Sequence, residues 1–67
     1  MLEIELNGAA HTLAEGDSLA DLVASLGLSG QAVALALNRR VVPRDRWTDT
    51  RPRQADRVDV VRAIGGG

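Results

Sequence analysis

The stretch Leu2-Glu3-Ile4-Glu5-Leu6-Asn7-Gly8 constrains this chain more than any other. Apolar and acidic residues alternate through Leu6, the period of a strand with one buried face. Asn7-Gly8 then supplies two residues that accept positive φ, as both central positions of a type I′ turn require. The chain is therefore expected to fold back, with Ala9 to Ala14 as the returning strand. A two-residue turn sets Leu6 opposite Ala9, Ile4 opposite His11 and Leu2 opposite Leu13. His11 then lies on the inward face near its edge, as a packed or hydrogen-bonded side chain rather than a catalytic one.

A hairpin needs something to pack against, and the next stretch supplies it. Glu15-Gly16-Asp17 breaks the strand, and Ser18 stands as a helix N-cap with Asp21 three residues on as a short capping-box partner. Leu19, Leu22, Val23 and Leu26 fall on one face of a helix of about two turns, and Gly27 is suited to a left-handed cap. A helix this short is not stable alone, so it must lie on the sheet.

The run Ala32-Val33-Ala34-Leu35-Ala36-Leu37 predicts a strand with Val33, Leu35 and Leu37 inward and three alanines outward. Leu22 and Leu35 are expected to face each other in the core. Asn38-Arg39-Arg40 reads as a turn and Val41-Val42 as a short strand stopped by Pro43. The polar stretch from Arg44 to Gln54 is anchored by Trp47, and a last strand opens at Asp56. Strand, strand, helix, strand, short strand, last strand is the order of an α+β β-grasp (ubiquitin-like) fold, a mixed sheet with one short helix on one face. Residues 1–64 would form this domain and 65–67 a flexible tail.

Sixty-seven residues allow one domain, near the lower limit for folding on a single core. There is no cysteine, so disulfides and cysteine–metal sites are excluded, and His11 alone cannot build a metal cluster. At 45% hydrophobic and 25% charged, the composition is that of a globular chain rather than a disordered one. A net charge of -1 and a single aromatic residue, Trp47, argue against nucleic acid as a partner. All eight basic residues are arginine, which excludes any chemistry needing a lysine amine within the chain. No stretch is long and apolar enough to span a bilayer. The N-terminus lacks the pattern of a signal peptide, and a cytoplasmic location is expected.

The run Val58 to Ile64 leads directly into Gly65-Gly66-Gly67. Terminal glycines are commonly a frayed end. Here they follow a strand with no linker-like residues between, which predicts a functional tail ending in a free carboxylate on Gly67. Without Cβ atoms such a tail can lie extended in a narrow channel. Alternation places Val58, Val60 and Ile64 on the core side and Asp59, Val61 and Ala63 on the helix-free face. With the last strand between the first and third, Ala34 and Ala36 are expected to flank Val61 and Ala63. These four residues form a candidate docking face at the root of the tail, ringed by Glu3, Glu5 and Asp59.

The residues Asn7, Gly16, Ala34 to Asn38, Val42-Pro43-Arg44, Trp47, Asp56 and Gly66-Gly67 together resemble the ThiS family, the sulfur carriers of thiamine biosynthesis. The resemblance covers the whole chain. The combination of Asn38, Val42-Pro43-Arg44 and Trp47 with a diglycine end is its most specific part. Two positions depart from the family: Ala55 stands where glycine is usual, and Arg51-Pro52-Arg53 where a branched apolar residue is common. A left-handed conformation at Ala55 would strain it by about 1–2 kcal/mol.

The resemblance implies a protein co-substrate with no catalytic residue of its own. Gly67 would be the modified residue, adenylated and converted to a thiocarboxylate, with Gly65, Gly66 and Gly67 threaded into partner active sites. It implies an E1-like adenylyltransferase of the ThiF type, which would use ATP and Mg²⁺. It further implies a thiazole synthase of the ThiG type and a sulfur donor such as a cysteine desulfurase or a rhodanese. Two other readings stand beside it: the small-subunit carrier of molybdopterin synthase, and a ubiquitin-like protein modifier.

Overall fold

The computed structural model describes residues 1–62. Strand β1 (Leu2–Leu6) and strand β2 (Ala9–Leu13) pair antiparallel in the register expected from the turn. Asn7 and Gly8 have φ of 49° and 85°, both in the left-handed region. Ile4 and Leu13 are buried, and His11, opposite Ile4 on the outermost strand, is half-buried.

Helix α1 (Leu19–Ser25) begins with the capping box. The Ser18 Oγ accepts from the Asp21 N–H at 3.1 Å, and the Asp21 Oδ2 accepts from the Ser18 N–H at 2.9 Å. Two further N–H groups of the first turn donate to the segment between residues 43 and 56, which joins the last two strands: Leu19 to the Thr50 carbonyl at 2.9 Å and Ala20 to the Trp47 carbonyl at 3.2 Å. The exposed donors of a helix start are thus taken up by backbone. Leu19, Leu22 and Val23 are buried.

Strand β3 (Val33–Leu37) and strand β4 (Arg40–Val42) form a second tight hairpin through Asn38 and Arg39, at φ 50° and 70°. Arg40 therefore opens β4 instead of closing the turn, because two left-handed residues already reverse the chain. A 3₁₀ turn at Arg44–Arg46 leads to buried Trp47, whose Nε1–H donates to the Val42 carbonyl at 2.9 Å. Pro52 is buried in the loop that follows, so the proline ring supplies the apolar group that Arg51 and Arg53 do not.

Strand β5 (Arg57–Arg62) lies parallel to β1 and antiparallel to β3, giving the sheet order β2-β1-β5-β3-β4. With α1 on one face this is the β-grasp architecture. The core is Ile4, Leu13, Leu19, Leu22, Val23, Leu35, Trp47 and Val58, so Leu22 and Leu35 share one apolar cluster as expected. The two turn asparagines hold the central strand in place. Asn7 Oδ1 accepts from the Val60 N–H at 2.8 Å, and Asn38 Oδ1 accepts from the Arg57 N–H at 2.9 Å.

Candidate functional site

Ala63, Ile64, Gly65, Gly66 and Gly67 lie outside the described residues, and with them the expected boundary between domain and tail. What the structure does describe is the ground from which that segment leaves. Strand β5 runs through the middle of the sheet, and its last rungs pair Ala34 with Val61 and Val33 with Arg62.

On the helix-free face Val61 is 63% exposed beside Ala34. The register differs from expectation at Ala36, which pairs with Asp59 and not with Val61 or Ala63. Antiparallel pairing steps the partner back by two for each step forward by two, and only the pairing itself fixes the starting rung. Ala36 is also opposite Val41 of β4, which is 76% exposed. Val41 thus completes an apolar strip across three strands, from Val61 and Ala34 to Ala36 and Val41. Sequence reasoning passed it over, although alternation within Val41-Val42 would have found it once Val42 was assigned to the core.

Next to this strip the same face is charged. Arg57 stands opposite Glu5, and its Nε lies 3.8 Å from Glu5 Oε2 and 3.3 Å from Asp59 Oδ2. All three side chains are partly exposed, so the contribution of these pairs to stability is small. Two carboxylates share one guanidinium, so the charge beside the strip is net negative.

A different arrangement marks the end of β5 on the helix side. Arg62 Nη2 donates to the side-chain Oε1 of Gln31 at 3.1 Å, and Arg44 Nη2 donates to the Gln31 carbonyl at 2.9 Å. The Arg44 guanidinium also lies over the Trp47 ring, 4.8 Å from its centroid. Gln31, Arg44 and Arg62 carry no signal in sequence that joins them; they are 13 and 31 residues apart along the chain.

Other chemistry-bearing groups are occupied structurally. Ser18 caps the helix, and the Ser25 hydroxyl donates to the Leu22 carbonyl at 2.8 Å. Asp21 has its carboxyl held below the ordinary carboxylate value, first by the Ser18 backbone N–H and then by the Ser18 side chain. A shallow depression of about 280 Å³ over β1 and β2 is lined by residues including Glu3, Glu5 and Gln54, with no serine, threonine or histidine among them. Among the described residues no group of three histidine, cysteine, aspartate or glutamate side chains could hold a metal, and no helix is long and apolar enough to cross a membrane.

Comparison with known proteins agrees with this geometry. A thiazole synthase from Magnetococcus marinus is 35% identical over 66 residues, 98% of this chain. The chain spans only about a fifth of that relative's length. The sulfur carrier protein ThiS of Escherichia coli is 29% identical over 66 residues, covering 98% of this chain and all of that protein. The crystal structure of the thiamine biosynthesis protein ThiS from Geobacter metallireducens superposes with a TM-score of 0.80 at 23% identity, over 98% of this chain and all of that one, and establishes the shared fold. The ThiS family itself matches residues 4–67, from the first strand through the glycines, and the chain belongs to the ThiS family.

Proposed function

We propose that this chain is a sulfur carrier for thiazole formation in thiamine biosynthesis, with Gly67 as the residue that bears the sulfur. The observation that carries the reading is the family match, which extends over residues 4–67 and so includes the glycines. The name of the Escherichia coli relative supports the sulfur-carrying role. That of the Magnetococcus marinus relative supports a thiazole synthase as the acceptor.

The chemistry follows from the carboxylate. An anionic carboxylate is a poor electrophile, because its leaving group would be oxide. An adenylating enzyme of the ThiF type, using ATP and Mg²⁺ in its own site, would convert Gly67 to an acyl adenylate with release of pyrophosphate. Sulfur from a cysteine desulfurase or rhodanese, delivered as a persulfide, then attacks the carbonyl and expels AMP. Reduction of the resulting acyl disulfide by a thiol leaves the thiocarboxylate. Its nucleophilic sulfur would pass to the thiazole synthase.

This chain's own part is to be held and aimed. Gly65 and Gly66 would enter the channel of each partner, and the strip of Val61, Ala34, Ala36 and Val41 would dock against it. The chain is a co-substrate of these enzymes and not itself a catalyst.

The test is the intact mass after incubation with the adenylating enzyme, ATP, Mg²⁺, a sulfur donor and a thiol. The parent chain is expected to gain one sulfur in place of oxygen. Variants lacking Gly67, or carrying one residue after it, are expected to gain none while melting as the parent does. An extended chain that still acquires sulfur and supports thiazole formation would overturn the assignment of Gly67. Isopeptide adducts on other proteins would favour a protein modifier instead.

A further inference from the structure

The tail root has two sides, and the apolar strip occupies only one. On the other, two guanidiniums converge on Gln31, an uncharged residue that accepts from both. Neither Arg44 nor Arg62 is ion-paired among the described residues, whereas Arg57 in the same strand as Arg62 lies between two carboxylates. The cations are also oriented. Arg44 is stacked on buried Trp47, and Gln31 is presented by a turn closed from its N–H to the Leu28 carbonyl at 3.0 Å, with Gly30 at φ 81°. A chain of net charge -1 therefore shows positive charge where β5 ends.

We propose that Arg44 and Arg62, held together by Gln31, form a cationic contact for an acidic protein surface bordering the channel that receives the C-terminal segment. The proposal rests on the carrier reading and adds the chemistry of the partner to it. An apolar strip on one side tolerates rotation of the docked domain about the strand axis. A charge pair on the other side fixes that rotation and accelerates productive encounter, since complementary charge acts chiefly on association rate and orientation. Gln31 suits this role because an amide oxygen orients a guanidinium without cancelling its charge.

Association of the full chain with the adenylating enzyme and with the thiazole synthase, followed from about 50 to about 500 mM salt, tests this. Arg62→Glu is expected to slow association with at least one of them about tenfold at low salt. The loss should shrink as salt rises, at an unchanged melting temperature. Gln31→Glu keeps an acceptor for both guanidiniums but sets a carboxylate between them, and is expected to act in the same direction. If Gln31→Glu binds as the parent does while Arg62→Glu binds worse, the network serves only to hold the strand end and the proposal fails. It fails equally if neither change matters. ATP bound by the isolated parent chain and lost in Arg62→Glu would make the pair a phosphate site and overturn it as well. A parent chain that binds neither enzyme would instead bring down the carrier reading, and this proposal with it.

Discussion

At Ala55 the backbone adopts φ 70°, the left-handed region in which a Cβ crowds the following carbonyl. The residue is held there by a turn in which the Asp56 N–H donates to the Arg53 carbonyl at 3.0 Å, while the Ala55 N–H reaches the Glu3 carbonyl at 2.7 Å. Those bonds tie the loop to β1 and leave Ala55 no route to a relaxed angle. Ala55→Gly is expected to stabilise the fold by about 1 kcal/mol, the strain relieved less the extra freedom of glycine when unfolded. Thermal melting checks it: a rise of about 4–8 °C is expected for a domain of this size, and an unchanged midpoint would contradict the strain. The departure at residue 55 was legible in sequence, but the sign of φ was not. Asn7 shows the reverse limit. Its turn could be read from the dipeptide, whereas its side chain's bond to Val60, 53 residues away, exists only once β5 is in place.

Among the elements, α1 depends most on a single residue. Seven helical residues cannot sustain a helix in water, so the cap and the buried face of Leu19, Leu22 and Val23 must act together. Ser18→Ala is expected to cost about 1 kcal/mol and to lower the melting temperature without loss of cooperativity. Asp21 adds a pH dependence of definite sign. Its carboxyl titrates below the ordinary 3.8 in the folded protein, so the ionised form favours the fold. That contribution is complete above the unfolded value and is lost as pH falls through the folded one. Asp21→Asn should melt below the parent at neutral pH, and the two should converge as the pH drops below 3.8. Parallel curves across that range would show that the carboxylate's charge has no part in the cap.

For the whole molecule, the decisive fact is that β5 occupies the centre of the sheet, parallel to β1 and antiparallel to β3. The β1 side holds this strand through Val58 and the β3 side holds it to Arg62, so whatever follows Arg62 starts from a rung paired with β3. One flank of that start is the apolar strip and the other is the Arg44–Gln31–Arg62 corner. On the docking reading, Ala36→Arg and Val41→Asp should each leave melting nearly unchanged, since neither side chain belongs to the buried core. Each should weaken binding to the adenylating enzyme and the thiazole synthase, by about tenfold for a charge set into an apolar contact. Isothermal titration against both enzymes is the check, and parental affinity in both variants would move the docking face elsewhere.

Hairpin, capped helix, strand faces and core leucines were all determined by the sequence on its own, because each rests on period or on turn chemistry within a few residues. The same local rules sufficed for the β-grasp order, since so short a chain has few ways to bury one helix face against its strands. The rung that sets Ala36 beside Asp59 and the meeting of Arg44 with Arg62 at Gln31 were decided only by the tertiary structure. Each depends on how far one strand slides against another before its hydrogen bonds close. That distance is set by the packing of the whole core and is written in no single stretch of the chain.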